Sequence, residues 1–134
     1  MADLNLPAPD APAEEWGRLA VSLSGWRWMP GMLGVVYQHR GIVSDHRVQR
    51  GTTLLAVDRL PATDDAATAG CLLALLGEWN GYAREKYVYS NGRVTPYRAV
   101  VRSCVDGITH ESTTLGRACI AAAAALGRWP GGTP

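Results

Sequence analysis

The chain has 134 residues, enough for one core and too few for two. Its apolar fraction of 47%, its charged fraction of 19% and a formal net charge of +1 place it in the globular range and deny it any global field for nucleic acid or membrane surfaces. No apolar run approaches the roughly 18–20 residues of a membrane span, and the acidic, proline-rich start (Asp3, Pro7, Pro9, Asp10, Pro12) does not read as a secretory signal. Cys71, Cys104 and Cys119 are an odd count without close spacing, which fits a reducing compartment; a bacterial cytoplasm is expected. Twelve of the thirteen basic residues are arginine, a bias that a GC-rich genome accounts for together with the many Ala and Gly codons.

Residues 1–11 are expected to form a flexible tail, residues 12–129 a single α+β domain, and 130–134 a second tail. Pro12, Glu14 and Glu15 suit the first turn of a helix, and Trp16, Leu19, Ala20 and Leu23 follow at helical spacing until Gly25. A turn of large side chains, Trp26-Arg27-Trp28-Met29-Pro30-Gly31-Met32, leads into β-compatible runs at Leu33–Tyr37, Ile42–Gln49 and Thr52–Val57, broken by Gly41 and Gly51. Thr63 as N-cap, Asp64 and Asp65 at the positive end of the dipole, and the stripe Ala69, Leu72, Leu73, Leu76 and Trp79 predict a second helix ending at Asn80-Gly81.

Asn91-Gly92 between Tyr87-Val88-Tyr89-Ser90 and Arg93-Val94-Thr95 predicts a hairpin with a type I′ turn, a register that sets Glu85 against Arg98. The strand after it carries Val100 and Val101 to Cys104, with Pro96 implying an edge or a bulge. Leu115, Ala118, Cys119, Ala122, Ala123, Leu126 and Trp129 form a narrow stripe of mostly small residues for a closing helix. The expected order is α-β-β-β-α-β-β-α: one antiparallel sheet of about five strands with helices mainly on one face.

Trp28-Met29-Pro30-Gly31-Met32 and the run from Asp65 through Ala69-Gly70-Cys71-Leu72-Leu73 to Leu76 resemble motifs of small uncharacterised proteins encoded in phages and prophages of proteobacteria. The resemblance implies a phage origin and carries no activity with it.

The chain has no phosphate-cradling loop ending in Lys-Ser or Lys-Thr, no nucleophile elbow, no His-Glu-x-x-His and no Cys-x-x-Cys. His39, His46 and Asp45 offer an acid–base or metal group only if the fold gathers them, and Cys104 with His110 and Glu111 a thiol pair on the same condition. No catalytic, metal or cofactor residue is therefore assigned. Two binding surfaces are. One is the turn at Trp26 and Trp28, which either plugs the core or anchors a partner. The other is the basic hairpin, where Arg84, Arg93, Arg98 and Arg102, with Lys86, alternate with Tyr87, Tyr89 and Tyr97.

The expectation is a non-enzymatic phage accessory protein that binds a host protein, for instance a defence or regulatory complex. Its alternatives are a binder or sponge for an anionic nucleotide-like ligand, for which the partner is a small molecule or nucleic acid, and a minor hydrolase using His39, His46 and Asp45. A homodimer is compatible with the exposed hairpin edge.

Overall fold

The computed structural model describes residues 6–39, 41–50, 59–84, 86–95 and 97–132. Among these residues three α-helices, α1 (Ala13–Ser22), α2 (Ala66–Leu76) and α3 (Leu115–Leu126), pack with eight strands: β1 (Leu33–Gln38), β2 (Gly41–Arg47), β3 (Leu60–Pro61), β4 (Trp79–Arg84), β5 (Tyr87–Val88), β6 (Val94–Thr95), β7 (Arg98–Ser103) and β8 (Thr109–Ser112). The single five-stranded sheet is replaced by two three-stranded antiparallel sheets, ordered β2-β1-β3 and β4-β7-β8, and a two-stranded ribbon β5-β6. The expected third strand at Thr52–Val57 lies outside the described residues, and β1 takes Leu60–Pro61 as its neighbour.

α3 is the hub. Its residues from Gly116 to Ala124 are all buried, because alanine leaves room for α1, α2 and the β4-β7-β8 sheet to close around it. Gly116 sits so close to the Thr63 carbonyl that no Cβ fits there. Thr114 caps the helix by accepting from the Arg117 amide at 3.3 Å. Around α3 the core gathers Trp16, Met32, Val48, Leu72, Leu75, Leu76, Val101 and Trp129. Trp129, beyond the helix end, is fully buried and donates its indole N–H to the Ala20 carbonyl at 2.9 Å.

The second helix begins at Asp65, not Thr63: the Asp65 carboxylate accepts from the Thr68 amide, while Thr63 is fully buried ahead of it. It ends at Leu76, since Gly77 leaves the helix at φ 89°, and Trp79, Asn80 and Gly81 become the start of β4. The segment before α1 is held to the domain, with Ala8 accepting from the Trp16 indole and Pro9 and Ala11 from the Arg117 guanidinium. Residues 130–132 form a 3-10 turn against α2. Among the described residues no helix is long and apolar enough to cross a membrane.

Candidate binding surface

Pairing in β4-β7 runs from Trp79↔Ser103 to Arg84↔Arg98, and that of the ribbon from Tyr87↔Thr95 to Val88↔Val94. Both follow one register, and together they make a long hairpin whose far end is the ribbon. The turn is not the two-residue type I′ form. Gly92 donates to the Tyr89 carbonyl at 2.9 Å and Tyr89 to the Arg93 carbonyl at 2.8 Å, which closes a three-residue loop. Only Gly92 has a positive φ, 86°, because Asn91 instead turns its side-chain oxygen to the Arg93 amide.

Side chains alternate across a strand, so register sorts the hairpin by face. Gly81 points at Leu115 and Leu73, which puts Trp79, Gly81, Val101 and His110 on the helix side. Asn80, Tyr82, Arg84, Arg98, Val100, Arg102 and Glu111 therefore share the outer side. The two helices that reach this sheet, α2 and α3, lie on the inner side; on the outer side the Arg84–Glu111 pair reaches across β7, where Val100 is buried. Tyr82 is 49% exposed there, and Arg84 bonds Glu111 at 2.6 Å. Arg98 is half-buried and Arg102 exposed.

Glu85, expected against Arg98, lies outside the described residues; the residue opposite Arg98 is Arg84. Arg93 stacks its guanidinium 5.4 Å from the centre of the Tyr89 ring at the ribbon's tip, and Tyr87 pairs with Thr95 through the backbone. The register thus gathers Arg84, Arg98 and Arg102 on one face and sets Arg93 and Tyr89 apart at the tip. Sequence reasoning missed Tyr82, since β4 was read as the end of a helix. It also missed the cross-strand pair Val88 and Val94, 58% and 46% exposed.

Trp26 and Trp28 are half-buried against the core, edge to face at 5.4 Å, with Trp26 also 6.1 Å from Trp129. They pack at the margin of the core beside Trp129, just past the end of α3, with part of each ring left exposed.

The fold does not gather the other candidates. His39 occupies the β1-β2 turn at φ 51°, whereas His46 pairs with Gly34 near the far end of β2, roughly 15 Å or more along the strand. Asp45 points to the opposite face from His46. His110 lies on the inner face beside Trp79, where burial lowers its pKa, and Glu111 on the outer face with Arg84. Cys104 is exposed and accepts from the Asn80 side chain at 3.4 Å. Cys119 is buried in α3, and desolvation pushes its thiol up to about 12. No group of three or more His, Cys, Asp or Glu among the described residues is arranged to hold a metal ion.

A cleft of roughly 950 Å³ opens between the start of α1, the β1-β2 hairpin and residues 62–65. Its Tyr37 phenol is held above the usual range by burial and by the nearby Asp64 and Glu14 carboxylates. Three of its acids are matched within the fold: Glu14 by Arg18, Asp64 by Arg117, and Asp65 by Arg47. Glu14 and Arg18 are an i,i+4 pair within α1, whereas the other two pairs join elements distant in the chain, which sequence spacing does not announce.

No family model, no curated protein and no solved structure matches the chain.

Proposed function

We propose that the chain is a non-enzymatic binding protein that docks on an acidic surface of a host protein through its long hairpin and the outer face of the β4-β7-β8 sheet. The observation that carries this reading is the sheet face turned away from the helices, on which register aligns Arg84, Arg98 and Arg102 around the exposed Tyr82. Arginine and tyrosine bring broad contact area and directed donors at modest entropic cost, the composition of interface anchors. The ribbon adds the exposed Val88 and Val94 pair, an apolar spot beside basic residues, which suits a protein partner better than a phosphate chain. A phage accessory role follows from the resemblance of the Trp28–Met32 and Asp65–Leu76 motifs, and inhibition of a defence or regulatory complex is its natural form.

The test is capture from a proteobacterial lysate with the wild type and with Arg93, Arg98 and Arg102 replaced together by alanine. The triple variant is expected to stay folded, within about 1 kcal/mol of the wild type, because Arg93 and Arg102 are exposed and Arg98 is only half-buried, and such cations add little to stability. It is expected to lose its partner, and the wild-type complex to weaken as salt rises. Retention of the partner by the triple variant, with loss in a folded Trp26→Ala or Trp28→Ala protein, overturns the choice of face.

A further inference from the structure

β4 is an edge. In the order β4-β7-β8 one side of β4 pairs with β7, and among the described residues no strand pairs with the other. Six residues of unpaired backbone are a template for another strand, and nothing in Trp79-Asn80-Gly81-Tyr82-Ala83-Arg84 removes it: it holds no proline and no bulge interrupts its register. The residues from Asn80 to Arg84 are all exposed.

The backbone direction on this edge is fixed by two hydrogen bonds. Glu78 accepts from Cys104 at 3.0 Å, so Glu78 and every second residue after it turn their N–H and C=O toward β7. On the other side of β7, Ser103 donates to Ile108 at 2.9 Å, the same alternation continued. Trp79, Gly81 and Ala83 therefore present their backbone groups outward. The Trp79 N–H is already given to Gly77 at 2.9 Å, which leaves the amides of Gly81 and Ala83 and the carbonyls of Trp79, Gly81 and Ala83 for a partner.

We infer that this edge pairs antiparallel with β4 of a second copy of the chain, about a two-fold axis at Gly81. Only registers that oppose outward-facing residues to one another can bond, and two of them use nearly the whole strand: one centred on Gly81, the other on Tyr82. Centring on Tyr82 sets Arg84 against Asn80. Centring on Gly81 sets Arg84 of each copy against Glu78 of the other, on the same outer face and in a non-hydrogen-bonded pair, where side chains approach most closely. Glu78 is exposed, and Arg84, which within one chain reaches across β7 to Glu111, turns back over its own strand to meet Glu78 of the second copy. Opposite charges occur twice by symmetry, and the four backbone bonds, Gly81 to Gly81 and Ala83 to Trp79 in each direction, need no group already engaged. The result is a continuous six-stranded sheet in which both outer faces lie on one side.

This pairing does not rest on the proposed host partner, and either can fail alone. Sedimentation equilibrium of the purified protein is expected to show a mass rising with concentration from 14.4 kDa toward twice that value. Amides of Gly81 and Ala83 should gain hydrogen-exchange protection over the same range, a measurement that needs no variant. Ala83→Pro removes an outward N–H and spares the β7 ladder, so it should leave a folded monomer. Glu78→Arg should weaken dimerisation about tenfold, by replacing attraction with repulsion at two places. A protein that remains at 14.4 kDa up to about a millimolar overturns the inference. A dimer indifferent to Ala83→Pro or to Glu78→Arg overturns it equally.

Discussion

Asp65 serves two neighbours at once. It caps α2 by accepting from the backbone and hydroxyl of Thr68, and it receives both arms of the Arg47 guanidinium at 2.6 and 3.1 Å. The Arg47 bonds above all, with those from Thr68, lower its pKa from 3.8 to about 2 against a smaller opposing effect of burial. A carboxyl with a depressed folded pKa contributes stability that is complete above its unfolded value and is lost as pH falls toward the folded one. The melting temperature should therefore decline between about pH 4 and pH 2, and Asp65→Asn, which still caps, should flatten that part of the profile. An unchanged acid profile in Asp65→Asn would assign the decline to other carboxylates. At Gly116, alanine should cost about 1–3 kcal/mol in denaturant unfolding, because its methyl group meets the Thr63 carbonyl. The sequence made Asp65 legible as an acid at a helix start, since that depends only on neighbours. Its Arg47 partner, on β2, and the Thr63 contact of Gly116 were not legible, since both arise from packing between elements distant in the chain.

α2 was legible as a helix, and Ala69, Leu72 and Leu76 of its expected stripe are buried, but Leu73 is only half-buried and Leu75, outside that stripe, is buried instead. Leu72→Ala should cost about 2–5 kcal/mol by leaving a cavity against α3, and a loss below about half a kcal/mol would contradict the packing. The helix end was misread for a physical reason. Trp79 follows Leu76 at helical spacing, so periodicity runs on past the residue where Gly77 turns the chain. Asn80, Gly81 and Ala83 then have poor strand propensity, and β4 exists because β7 supplies a paired backbone. β8 was missed similarly: Thr109-His110-Glu111-Ser112 is polar and short, and pairing with β7 holds it in place. Asn91-Gly92 was legible as a hairpin centre, while the loop length was decided by the Asn91 side chain bonding the Arg93 amide.

At the scale of the molecule, the two-sheet arrangement follows from the Ala-rich α3, which lets one helix be enclosed by two others and a sheet. Composition indicated a helix that lies close to its neighbours, but not that the strands divide on either side of α2. The β5-β6 ribbon stands apart from that packing, for its substantial contacts are between its own two strands. An isolated two-stranded ribbon is marginal in water, and exposed Val88, Tyr89 and Val94 add no core. On the proposed function its part is contact with the partner and not support of the core. Replacing residues 86–96 with Asn-Gly keeps the hairpin register, as Glu85 and Tyr97 then flank a two-residue turn. The shortened protein should unfold within about 1 kcal/mol of the wild type, because Lys86 and residues 88–94, which it loses, are exposed. It should also fail to capture the host partner, having lost Arg93 and the apolar tip. If it unfolds readily, the ribbon is a structural element and the binding face contracts to Tyr82, Arg98 and Arg102; if it folds and still binds, the sheet face alone suffices.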